Sequence, residues 1–101
     1  MAPFVPGPGV TVPRYLVERT FPDGLGLPIN EAGARLVSGL VATNLQSGVT
    51  WIHSYVTPDR RKTFCIYDAP TPEAILAVAK KNGLPVDSIQ EVRVLDPYFV
   101  R

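Results

Sequence analysis

Two runs of β-branched and aromatic residues meet at Pro58-Asp59-Arg60, and that junction constrains the fold more than anything else in the chain. Val49 to Thr57 and Lys62 to Ala69 read as the two arms of a β-hairpin. The hairpin holds the only His, Cys and Trp, and two of the four Tyr. Any chemistry performed by reactive side chains therefore depends on the face each of them occupies.

Helix signals flank the hairpin. Before it, Asn30 suits a helix N-cap and Glu31 suits the positive end of the helix dipole. Leu36, Val37, Leu40 and Val41 follow at i, i+1, i+4 and i+5, which predicts a helix to about Gln46 with one broad apolar face. Gly33 and Gly39 suggest close packing on a sheet, and Gly48 suits the C′ stop. After the hairpin, Thr71, Pro72 and Glu73 make a cap, a first helical position and a dipole partner. Ile75, Val78 and Ala79 form that helix's buried stripe, and Gly83 ends it. Arg14 to Phe21 predicts a first strand, and residues 89–96 a last one. Pro22 to Pro28 is a Gly/Pro loop.

The order is β-α-β-β-α-β. This predicts an α+β, ferredoxin-like domain over residues 14–101, an antiparallel sheet with both helices on one face. Right-handed crossovers give the strand order four, one, three, two. Residues 1–13, rich in Pro and Gly, read as an extended arm, and Tyr98 to Arg101 as an apolar tail.

Composition excludes several function classes. A chain of 101 residues with net charge +1 carries no field suited to nucleic acid or to an anionic membrane. No apolar run approaches the ~20 residues that span a bilayer. One Cys forms no intrachain disulfide, and the cytoplasm is the expected compartment. Arg60-Arg61-Lys62 is a solvated hairpin tip.

A three-residue hairpin loop at Pro58-Asp59-Arg60 would pair His53 with Cys65, Trp51 with Tyr67 and Tyr55 with Thr63. Strand alternation then places these six on the open sheet face and leaves Ile52, Phe64 and Ile66 for the core. Glu18 would stand beside Cys65, flanked by Arg93 or Glu91. Trp and Tyr on an open sheet expose apolar surface, which face-to-face packing with a second copy covers. A homodimer is expected.

His53, Cys65 and Glu18 are donor types that suit zinc, nickel or cobalt, although no CxxC or HExxH motif is present. The same residues allow other readings. His53 is equally a hydrogen-bonded interface residue and Cys65 a small buried hydrophobe. Cys65 activated by His53 would be a nucleophile, and Glu18 with His53 an acid/base pair. Glu18 held by Arg93 or Arg19 would be an ordinary ion pair. A small organic ligand would sit among Trp51, Tyr55, Tyr67 and Arg93 on the open sheet. An interaction module without chemistry stays open too.

The segments Tyr15-Leu-Val-Glu-Arg-Thr-Phe21, Gly48-Val-Thr-Trp-Ile-His-Ser-Tyr55, Lys62-Thr-Phe-Cys-Ile-Tyr-Asp-Ala-Pro70 and Glu91-Val-Arg-Val94 carry a resemblance. The chain resembles, over roughly residues 14–101, a family of small bacterial proteins of unknown function that includes actinobacterial nickel-binding members. The Cys65 position and the Asp68-Ala69-Pro70 turn match it most specifically. The resemblance implies a ferredoxin-like subunit and a dimer, whose association is expected to be of the α+β barrel type; in the nickel-binding members it implies nickel held at the dimer surface and a role in sequestration.

Overall fold

The computed structural model describes residues 12–27 and 30–97. Its elements are β1 (Arg14–Thr20), α1 (Glu31–Gln46), β2 (Thr50–Val56), β3 (Lys62–Asp68), α2 (Pro72–Asn82) and β4 (Ser88–Val92). The sheet order is β2-β3-β1-β4, and every neighbouring pair is antiparallel. This is the expected ferredoxin-like α+β arrangement. Of the expected arm, only Val12 and Pro13 are among the described residues, and the Pro13 carbonyl accepts the Ala69 N–H at 3.1 Å. The apolar tail at 98–101 lies outside them.

The caps form as their residue types dictate. The Asn30 side chain accepts the Gly33 N–H at 3.2 Å, and the Thr71 hydroxyl accepts the Ala74 N–H at 3.2 Å. Gly48 and Gly83 take positive φ, at +73° and +68°, where a side chain would be strained. The last strand ends at Val92, earlier than expected. Val92 already faces Arg14, the first residue of β1, so regular pairing has no further partner.

The core lies between the sheet and α2. Tyr15 and Val17 of β1 and Cys65 and Tyr67 of β3 meet Ile75 and Val78, the buried stripe that the α2 pattern predicts. Val86 and Ile89 close the β4 side. Helix α1 departs from expectation. Its buried residues are Gly33 and Asn44, while Leu36 is 54% exposed and Val37 and Leu40 are half-buried. Gly39 does not mark close packing, since a Cβ there would meet nothing within 4 Å.

Candidate functional site

The hairpin corrects the expected faces. Its loop has four residues, Pro58 to Arg61, because Thr57 N–H donates to the Lys62 carbonyl at 3.0 Å. Arg60 takes a left-handed φ of 60° to close it. The extra loop residue moves the register by one: Val56 faces Thr63, Tyr55 faces Phe64, Ser54 faces Cys65 and His53 faces Ile66. An irregularity between Trp51 and His53 then inserts one residue and restores the pairing of Trp51 with Tyr67. The Trp51 indole N–H donates to the Ser54 hydroxyl at 2.9 Å, which ties the two sides of the bulge together.

A one-residue change of register exchanges the faces of a strand. His53 and Tyr55 therefore share the open face with Leu16, Glu18, Phe64 and Ile66. Trp51, Ser54 and Val56 join Thr63, Cys65 and Tyr67 on the helix-covered face. The assignment of Cys65 and Tyr67 to the open face, and of Phe64 and Ile66 to the core, is reversed. Cys65 is buried, with its thiol donating to the Thr63 hydroxyl at 3.6 Å.

The three expected metal ligands are consequently not brought together. Cys65 is on the opposite face from the other two. His53 and Glu18 share a face but sit on β2 and β1, with β3 between them, roughly 10 Å apart on strand spacing alone. Coordination bonds of about 2 Å do not bridge that gap, and neither does a direct proton transfer. Among the described residues, no group of three or more His, Cys, Asp and Glu could hold a metal ion. Among the described residues, His53, Cys65 and Glu18 of one protomer do not form a closed nickel centre. Glu18 pairs with Lys62, at 3.6 Å, rather than with Arg93 or Arg19. Arg93 stands beyond the end of β4, away from Ser88, which is the β4 partner of Glu18.

The open face carries a partly exposed apolar stripe. Leu16, Phe64 and Ile66 are half-buried, and Tyr55 is 63% exposed beside His53, their rings edge to face at 5.1 Å. Ion pairs frame this stripe: Glu18 with Lys62, and Arg14 with Asp68 through Nε at 2.7 Å and Nη2 at 3.1 Å.

The other face holds a cavity of about 450 Å³. Trp51, Ser54 and Val56 of β2 line it together with Thr63, Cys65 and Tyr67 of β3. Leu36, Val37 and Leu40 of α1 form its roof, and Phe21, Leu25 and Leu27 close one end. That end is pinned to the hairpin tip, where Leu25 N–H donates to the Arg60 carbonyl at 2.7 Å and Arg60 Nη2 donates to the Leu27 carbonyl at 3.0 Å. The cavity thus lies on the covered side of the sheet, not on the open face where space for an organic ligand is expected. Of its four expected residues, Trp51 and Tyr67 line this cavity and Tyr55 and Arg93 do not.

Arg19 is the residue of this wall that sequence reasoning missed. It is 3% exposed. Its Nη1 donates to the Pro85 carbonyl at 2.6 Å and its Nη2 to the Tyr67 hydroxyl at 3.3 Å, while Nε has no partner. Burial pushes the Tyr67 phenol above its ordinary value, and the Arg19 charge pulls it the other way. The signal was present: Arg19 continues the inward phase of Tyr15 and Val17, where a charge is unexpected.

One comparison with known proteins names a family. A family model described as "Nickel responsive protein SCO4226-like" matches residues 15–92. The chain belongs to this SCO4226-like family. A solved structure, "Crystal structure analysis of SCO4226 from Streptomyces coelicolor A3(2)", superposes with a TM-score of 0.62 at 18% identity, covering 82% of this chain and 99% of that one. At that identity the likeness establishes the shared fold. No curated protein matches. Among the described residues, no helix is long and apolar enough to cross a membrane.

Proposed function

We propose that the chain is a nickel-binding protein of sequestration or homeostasis, working in the cytoplasm as a homodimer joined through its open sheet face. Membership of a nickel-responsive family over residues 15–92 is the observation that carries this reading. The donor chemistry points to two copies rather than one. His53 is the only imidazole, it is exposed, and it shares the open face with Glu18. Two such faces packed together contribute four donor side chains to one interface. The exposed Tyr55 and the half-buried Leu16, Phe64 and Ile66 supply the apolar area that such packing covers. Cys65, buried on the other face, is not part of the ligand set in this reading.

Nickel titration by calorimetry, slightly above neutral pH, tests it. The wild type binds nickel, His53→Ala weakens binding by at least about ten-fold, and Cys65→Ser leaves it within about two-fold. Absence of binding in the wild type, or full affinity in His53→Ala, overturns the reading. Light scattering at micromolar concentration tests the dimer, and the mass of a single chain would refute it.

A further inference from the structure

Arg19 places a guanidinium on the inward face of the sheet, in the wall of the cavity under α1. It spends two N–H donors on Pro85 and Tyr67 and leaves Nε unpartnered. No acidic side chain among the described residues pairs with it. The arrangement is unusual, because a charge removed from water is costly unless an opposite charge meets it. The Tyr67 ring, 5.9 Å from the guanidinium carbon, offsets part of that cost but supplies no anion.

The space beside Arg19 has the dimensions of a ligand site. At about 450 Å³ it falls within the roughly 300–1,000 Å³ of small-molecule pockets. Most of its lining is apolar, with Leu36, Val37 and Leu40 above and Trp51 below. Arg19, Thr63 and Tyr67 stand together in its wall, since Arg19 faces Thr63 across the strands and bonds the Tyr67 hydroxyl. An apolar chamber with one buried, unmatched cation selects a molecule of the complementary kind. A carboxylate matches the flat donor edge of a guanidinium, and the hydrocarbon attached to it would displace water from the leucines. A neutral lipid leaves Arg19 unmatched, and an organic cation is repelled by it.

We propose that the cavity between α1 and the sheet binds a small amphipathic carboxylic acid, with its carboxylate on Arg19 and its apolar body under α1. The site lies on the opposite face from His53 and Glu18, so it stands independently of the nickel reading. Decanoate and its uncharged analogue 1-decanol are suitable probes. Binding is followed by calorimetry with a chelator present, so that the fate of the nickel reading does not touch the result.

The wild type binds decanoate at least about ten-fold more tightly than decanol, as expected for a charge-assisted contact. Arg19→Met removes that preference and leaves decanol affinity unchanged. Leu40→Trp, which fills the chamber, weakens both ligands. Trp51, the single Trp of the wild type, reports decanoate through its fluorescence. Equal wild-type affinities for the two ligands would overturn the proposal. So would a decanoate preference that survives Arg19→Met, or binding that Leu40→Trp leaves untouched. Where circular dichroism shows Arg19→Met unfolded, the wild-type ratio and Leu40→Trp decide the matter between them.

Discussion

The two helices cover the same face of the sheet and do opposite things there. Under α2, Ile75 is 2% exposed and packs with Val78 against Tyr15, Val17 and Cys65. Under α1, Leu36, Val37 and Leu40 roof a cavity. The difference begins in the connections. Helix α2 starts four residues after β3 ends, with a cap and a Pro at its first position. Helix α1 follows a long Gly/Pro loop, and its buried Asn44 accepts from the Asn82 side chain of α2 at 3.4 Å. An amphipathic pattern thus establishes that a helix faces the sheet, but not how closely it lies upon it.

That contrast can be broken by substitution. Ile75→Ala removes a fully packed side chain and should cost about 2–5 kcal/mol, measured by urea unfolding. A cost no larger than that of an α1 substitution would erase the distinction. Tyr67→Phe, at the border of the two regions, should cost about 1–3 kcal/mol, because it takes an acceptor from the buried Arg19. It should also change the alkaline limb. Burial raises the folded phenol above its unfolded value of about 10, so its contribution is whole below that pH and is lost as pH climbs through the folded value. Unfolding curves of Tyr67→Phe should therefore decline less steeply above about pH 10. A limb as steep as that of the wild type would show that this phenol is not the group responsible.

Smaller effects sharpen the picture further. Thr71→Ala, which removes the α2 cap, should cost about 1 kcal/mol. Leu36→Ala, on the exposed side of the α1 roof, should stay within about 0.5 kcal/mol. A loss near that of Ile75→Ala would mean that α1 is sealed against the sheet after all.

Sequence reasoning reached the element order, the strand order and the whole of α2, for a common reason. Thr71-Pro72-Glu73 and Gly83 are local signals whose chemistry does not depend on distant residues. The hairpin faces were not legible, because both phases of β3 are credible interiors. Thr63, Cys65 and Tyr67 alternate with Phe64 and Ile66, and hydrophobicity does not choose between them. One residue of loop length made the choice. Of the site, the residue types were legible and their company was not. His53, Glu18 and Cys65 carry suitable donor atoms, yet the β2–β3 shift parts His53 from Cys65, and the β1–β3 register sets Val17 rather than Glu18 opposite Cys65. The cavity left no trace in periodicity, since an apolar helix face reads alike whether it touches the sheet or stands above a void. Arg19 was the one written clue.

The four-residue loop and the bulge at Ile52 have a joint consequence for how this hairpin can change. Each alone shifts β2 by one place against β3, and together they cancel at Trp51. Residues before the bulge answer to one phase and residues after it to the other. The two irregularities are exchangeable: with no change of length, a three-residue loop and a bulge-free strand would also join Trp51 to Tyr67. That exchange would swap the residues between them, His53 to Val56, between chamber and open face and leave Trp51 in place. A slip of one place confined to this stretch would therefore set His53 opposite Cys65 without altering a single side chain.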